Sequence, residues 1–264
     1  YLFTNTYLGD YPMFLPGGKE QIAGEYQPGW MLLSYGKKVS VSSSLEGYPA
    51  ENIVDEDART AWVAQSNRDM EWAQVDLQRL SSIHAIQVNF DEYGANQKGA
   101  VSGVYQSYLI YASVNGEDWS LVVDYGTKKT DTPHDYIEFE EPFKARYIKL
   151  QNKEYMVSEN FSVRDLRIFG KGQGSTPRAV NDFTVERDEA DPCKARLCWE
   201  AVPDAQGYIV RYGIAGDKLY NNFQVMGENT LEIGSLNKGV AYYFTIDAYN
   251  ENGITRTSRI KVCR

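Results

Sequence analysis

The sequence predicts an all-β protein of two sandwich domains, and three observations carry that prediction. Apolar residues alternate with period two along many short runs, as in Ala73, Val75 and Leu77 or Tyr108, Ile110 and Ala112. Twenty tyrosines against five methionines favour sheets, because aromatic rings suit a pleated, half-buried surface. No stretch keeps a helical period for more than about a dozen residues. At 264 residues the chain has room for two ordinary domains, and 42% hydrophobic and 13% aromatic content can fill real cores.

Taken in order, residues 1–30 are aromatic and rich in glycine and proline (YPMFLPGG, YQPGW). They are punctuated too heavily for a domain of their own and carry too many large apolar groups for a floppy linker. This segment reads as an interdomain piece, the end of an upstream domain, that packs across a neighbour. Residues 31–171 alternate like a β domain. Ile86, Val88 and Phe90 face one way, with His84 in the same register, and turn signals such as Asn115-Gly116 separate the runs. Many short strands need two facing sheets to bury their inner rows, so an antiparallel jelly roll follows. Lys171 to Pro177 (KGQGSTP) is a hinge of small residues. Residues 178–264 alternate again, through Leu197 and Trp199, then Tyr208, Val210 and Tyr212, then Tyr242, Phe244, Ile246 and Ala248.

The net charge of −9 argues against nucleic acid, whose affinity rests on Lys and Arg contacts with phosphate. It also gives no reason to expect an anionic membrane as partner. No apolar run reaches the roughly 20 residues of a spanning helix. The chain opens on Tyr1 rather than on Met and reads as a processed or excised piece of something larger. Its three cysteines, Cys193, Cys198 and Cys263, cannot all pair internally and lack metal-site spacing.

Within residues 31–171, AENIVDEDARTAWVAQSNRDMEWAQVDL (50–77), YLIYASVNGEDW (108–119) and ARYIKL (145–150) resemble the discoidin, or factor 5/8 type C, domain. In bacteria that fold serves mostly as a carbohydrate-binding module. In residues 178–264, Trp199 on an early strand and Tyr242 six residues after Leu236 resemble a fibronectin type III domain. There the tryptophan fills the core, and the tyrosine closes a corner by bonding its hydroxyl to backbone. LFTNTYLGDYPMFLPG (2–17) together with the following PGWMLLSYGKKVSVSSSLEGYPAENIVDED resembles the junction where the propeller of a family 43 glycoside hydrolase passes into a discoidin-like module. That resemblance implies a secreted, periplasmic or cell-surface bacterial system, an upstream catalytic domain as partner, and no catalytic residue in this chain.

Two candidate sites follow. Asn52, Asp55, Asp57 and Thr60 form a tight loop of hard oxygen donors, the kind calcium takes. The resemblance closes that loop with an acidic residue near the end of the domain, and Asp165 holds the matching place, where Glu is commoner. A calcium ion held there would be structural, pinning loops by neutralising charge. The alternative is that Asp55 and Asp57 merely cap turns through backbone amides. Sugar binding needs an aromatic ring for the apolar face of a pyranose and polar groups for its hydroxyls. The resemblance places these on loops at one end of the sandwich, matched here by 43–48, 93–105 and 155–161. Glu46, Asn96 and Asn160 are candidates for hydroxyl recognition, Tyr93, Tyr105 and Phe161 for stacking, and Arg68 for a charge-assisted bond. Each, taken singly, is equally readable as an ordinary loop or packing residue. Trp62 and Trp72 are read as core.

Catalysis has little support. His84 and His134 make no metal pair by spacing, and no GxSxG motif, phosphate loop or dinucleotide fingerprint is present. With 36 acidic residues, any pair chosen as glycosidase carboxylates is arbitrary. The expectation is a non-catalytic, carbohydrate-binding accessory region of a glycoside hydrolase. Its rival is a pair of structural modules that brace an upstream propeller and bind no sugar. An active glycosidase within the chain is the weaker third.

Overall fold

The computed structural model describes residues 14–16, 28–95 and 103–264, the side chains of 14–16, 28 and 29 excepted. The architecture is all-β. One short 3-10 helix, Ala50–Val54, is the only helical element among the described residues. The chain divides into two compact units, one of Leu32–Gln173 and the other built on Gly174–Arg264. Most of the segment 1–30 lies outside the described residues. Within it, strand β1 (Phe14–Pro16) pairs antiparallel with β2 (Pro28–Leu32).

The first unit is a discoidin-like jelly roll. Its strands are β3 (Lys38–Val41), β4 (Trp62–Val63), β5 (Trp72–Phe90), β6 (Gln106–Ser113), β7 (Ser120–Tyr125), β8 (His134–Tyr155) and β9 (Ser162–Lys171). Two of them, β5 and β8, are far longer than an ordinary strand and serve both layers. In one layer β3 pairs with residues 73–76 of β5, which pair with 147–150 of β8, followed by β6 and β7. In the other, residues 82–90 of β5 lie between β9 and residues 134–145 of β8, with β4 on the far edge of β9.

The crossing has a local cause. The register of β5 on β8 breaks between Asp76 and Ser81, and Gln78 adopts φ 67° there. The Asp76 carboxylate caps the bend by accepting the N–H of Gln78 at 2.7 Å. It also accepts two bonds from Arg146, at 2.8 and 2.9 Å, at the corresponding bend of β8. Charge and turn geometry thus fold both strands at one corner. The inner rows then meet: Ala73, Val75, Leu77, Tyr108, Ile110, Ile148 and Leu150 share one core with Ile86, Val88, Phe90, Leu166 and Ile168.

Two residues depart from the inward rows read in the sequence. His84 falls on a bulge between Ile83 and Ala85. The extra residue shifts the alternation, so His84 leaves the inward register and stands half-buried, its Nε2 3.4 Å from Ser82 Oγ. Trp72 is not core either. Since Ala73, Val75 and Leu77 point inward, period two sends Trp72 outward, where it is half-exposed. Trp62, by contrast, is fully buried.

The second unit is also a two-sheet sandwich. Strands β10 (Phe183–Arg187), β11 (Ala195–Trp199) and β14 (Thr230–Ile233) form one sheet. In the other, β13 (Asn221–Met226), β12 (Gly207–Gly213) and β15 (Tyr242–Asn250) pair in that order, and β16 (Gly253–Thr255) and β17 (Lys261–Cys263) share the free edge of β15. The core joins Leu197 and Trp199 to Tyr208, Val210, Tyr212, Phe244, Ile246 and Ala248. Tyr242 accepts the Asn237 N–H on its hydroxyl at 3.2 Å, closing the turn that leads into β15. Cys193, Cys198 and Cys263 are all free.

Candidate functional site

The acidic loop follows the 3-10 helix. Asp55 accepts the Asp57 N–H at 2.9 Å and the Thr60 hydroxyl at 2.8 Å, while the same hydroxyl lies 3.0 Å from the Asp57 carbonyl. Asn52 Nδ2 donates to Ala61 O at 2.8 Å. The Asp57 carboxylate turns outward into a two-pronged pair with Arg59, leaving its main-chain oxygen on the loop's inner side with Thr60. At the apex Glu56 takes φ 61° and buries its carboxylate against Arg167 of β9, with Nη2 to Oε2 at 3.0 Å. Burial pushes Glu56 up to about 7 against the pull of Arg167.

Asp165, two residues before Arg167, is fully buried. Its Oδ2 accepts Asn89 Nδ2 at 2.9 Å, and its Oδ1 has no hydrogen-bond partner among the described residues. Burial raises its pKa, and the neighbouring Asp55 carboxylate adds to the rise. No three acidic, histidine or cysteine side chains converge among the described residues. A cation at this loop would therefore depend on Asp55, the Thr60 hydroxyl, main-chain carbonyls and the orphaned oxygen of Asp165. Hard oxygens of that mixture are what calcium takes, and a buried carboxylate oxygen without a donor is what a cation would satisfy.

The described parts of the predicted loops at one end of the jelly roll come together, joined to a fourth at Gln65–Glu71. Gln65 bonds Ser43 Oγ and Ser44 O. Ser42, Ser43 and Ser66 all donate to the Glu71 carboxylate. Burial raises the Glu71 pKa, but the three hydroxyls outweigh it and hold the group below its usual range. Asn67 ties this loop to Tyr155 O and Ser158 O, and Asn160 Nδ2 reaches Ala64 O at 2.8 Å. Tyr93 packs edge-on against Tyr48 with ring centroids 5.0 Å apart.

The individual candidates fare differently within that rim. Tyr93 is half-exposed, and Glu46 and Arg68 are exposed. Tyr105 is half-exposed, with Lys129 Nζ over its ring at 5.1 Å and 3.3 Å from its hydroxyl. Asn160 has committed its amide nitrogen. Asn96 lies outside the described residues. Phe161 corrects the reading made from sequence: it is 1% exposed and packs edge-on against Trp62 and Tyr155 at 5.8 and 5.3 Å. Its ring belongs to the core and offers no stacking face. Backbone bonds decide this: Phe161 N–H donates to Ser66 O at 2.9 Å and its carbonyl accepts the Ala64 N–H at 2.8 Å, which holds the residue just before β9 against the core.

Residues 38–165 match the model of the F5/8 type C domain family. This stretch is an F5/8 type C domain. Lactadherin of Rattus norvegicus and of Mus musculus are 33% and 32% identical to the chain over 110 residues, 39% of its length. The alignment covers 25% and 23% of those proteins, so the chain spans about a quarter of the length of the curated relatives it matches. Among solved structures, chitosan-binding module 1 of a Paenibacillus sp. IK-5 chitosanase/glucanase is similar at 20% identity and a TM-score of 0.45, over 53% of this chain and 98% of that one. The family 32 module of C. perfringens NanJ, solved with galactose, is similar at 18% identity and a TM-score of 0.43, again over 53% and 98%.

Sequence reasoning overlooked part of the F5/8 type C domain's surface. The outward row of its five-stranded layer carries Trp72, Gln74, Lys149, Gln151 and Tyr111, all half-buried. The alternation that placed Ala73 and Val75 inside was the signal for it. The domain's His134 is exposed, with Nδ1 3.1 Å from Asn89 Oδ1. No helix among the described residues is long and apolar enough to cross a membrane.

Proposed function

We propose that this chain is a non-catalytic accessory region that holds carbohydrate at the loop rim of its F5/8 type C domain. The carrying observation is the half-exposed Tyr93 ring, braced on Tyr48, on a rim that also presents the exposed side chains of Glu46 and Arg68. A braced aromatic face beside polar groups suits a pyranose, with its apolar face on the ring and its hydroxyls on the polar side chains. In this reading Asp55, Thr60, Asp165 and main-chain oxygens hold a structural calcium, which would supply charge neutralisation only. Residues 178–264 act as a fibronectin type III spacer, a reading supported by the strand order, the buried Trp199 and the Tyr242 corner. The parent protein would be a family 43-like glycoside hydrolase of a bacterial secreted, periplasmic or cell-surface system. Tethering a weak sugar site to such a catalytic domain makes the second encounter intramolecular, so even modest affinity raises local substrate concentration.

Calorimetric titration of the full chain with galactose-, arabinose- and xylose-containing oligosaccharides tests the reading. Binding that falls at least ten-fold in Tyr93→Ala is the expected result, and silence with every sugar would overturn it. The bracing alternative draws on the inward turn of Phe161 and the internal commitment of Asn160, which leave the rim with fewer free groups than the sequence offered. It predicts no sugar binding, but a higher unfolding temperature for a catalytic domain fused to this chain.

A further inference from the structure

The outer face of the five-stranded layer of the jelly roll has a second constellation, which starts at Trp72 where the rim loop Gln65–Glu71 ends. Cross-strand pairing sets Trp72 opposite Gln151 and Gln74 opposite Lys149. On the next strand Tyr111 stands opposite Lys149 and Leu109 opposite Gln151. The row from Trp72 to Tyr111 crosses two strand spacings, about 10 Å. The Lys149 amine lies 4.1 Å from the Trp119 ring centre and 5.4 Å from that of Tyr111. Two rings on a lysine fix where its charge sits.

What the amine lacks among the described residues is a counter-ion. Lys149 makes no ion pair among the described residues, and Asp76, on the neighbouring strand, is engaged by Arg146. Partial burial lowers the Lys149 pKa, as desolvation does for a cation without an anion beside it. The side-chain amides of Gln74 and Gln151 have no hydrogen-bond partner among the described residues, and Trp72 offers a half-exposed ring at the end of the row. An aromatic surface, two free amides and a positioned unpaired cation on one flat face form a set that recognises hydroxyls and one negative charge together.

We propose that this face binds an acidic saccharide, a chain of uronic acid units, with a ring on Trp72, hydroxyls on Gln74 and Gln151, and a carboxylate on Lys149. The site lies on the rigid strands rather than on loops, and it selects for charge where the rim selects for hydroxyl pattern.

The test is calorimetric titration of the full chain with trigalacturonate and with its methyl ester, which keeps the shape and removes the charge. Trigalacturonate should bind, with affinity falling as salt rises, and the ester should bind at least ten-fold more weakly. Lys149→Gln should lower trigalacturonate affinity at least ten-fold with an unchanged unfolding midpoint, and Trp72→Ala should do the same. Equal affinity for acid and ester, or no heat with trigalacturonate, overturns the proposal. So does loss of binding in Tyr93→Ala with Lys149→Gln silent, which would put the ligand on the rim.

Discussion

Arg167 and Glu56 form an ion pair that solvent scarcely reaches: Nη2 lies 3.0 Å from Oε2, and the two side chains are 3% and 2% exposed. Arg167 also donates to Gln87 at 3.0 Å and lies over the Phe169 ring. The pair ties the apex of the acidic loop to the strand that carries Asp165. A buried pair gains little over an apolar replacement, but losing one partner strands a charge out of water. Arg167→Met should therefore cost about 3–5 kcal/mol in chemical denaturation. A loss under about 1 kcal/mol would mean that water or another cation reaches Glu56 freely.

The Phe161 ring meets Trp62, Phe90 and Tyr155 around the top of the core. Phe161→Ala should destabilise the first unit by about 3–5 kcal/mol, the cost of removing a buried aromatic and leaving a cavity. A stable variant with altered sugar affinity would return this residue to the ligand.

Gly170 admits no side chain. A Cβ there would stand 2.0 Å from the Ser82 carbonyl oxygen, which is backbone and cannot swing away. Because β9 and β5 pair at this point, Gly170→Ala must part them, and a loss of about 1–3 kcal/mol or more is expected from thermal unfolding. An unchanged midpoint would show that the strands are farther apart.

Asp182 carries the clearest pH signature in the second unit. Bonds from Lys261 and Arg259, with the Phe183 N–H, hold its carboxyl down at about 2, below the ordinary 3.8. A depressed acid stabilises the fold above its unfolded pKa and loses that contribution as pH falls through the folded value. The carboxylate is exposed, so added salt should weaken the effect. Carboxyl NMR should place the midpoint near 2, and Lys261→Ala should raise it. A midpoint near 4 in the unaltered chain would contradict the pairing.

Calcium added to chelator-treated protein should raise the unfolding temperature by several degrees, since about 2.7 kcal/mol follows from a hundredfold excess over the dissociation constant. Asp55→Asn should abolish the rise. If chelator and calcium both leave the midpoint where it was, the loop is held by its own hydrogen bonds and by Arg167.

The parts legible in the sequence were those that local chemistry dictates. Ala73, Val75 and Leu77 face inward as period two requires, and Gly116 takes the positive φ that an Asn-Gly turn calls for. Leu197, Trp199, Tyr208, Val210 and Tyr212 all enter one core for the same reason. The rim was legible only as three loops. Which of their side chains face solvent depends on partners far along the chain, such as Asn67 with Ser158 and Asn160 with Ala64.

By itself, the sequence determined the strands, their inward faces and the turns between them, because each depends on alternation and backbone preference within a few residues. Only the tertiary structure decided that β5 and β8 bend from one layer into the other at the Asp76–Arg146 corner, that a bulge turns His84 out of the core, and that Phe161 turns into it. Those outcomes rest on contacts between residues tens of positions apart, and the same folding step set Lys149 between two rings with no anion to meet it among the described residues.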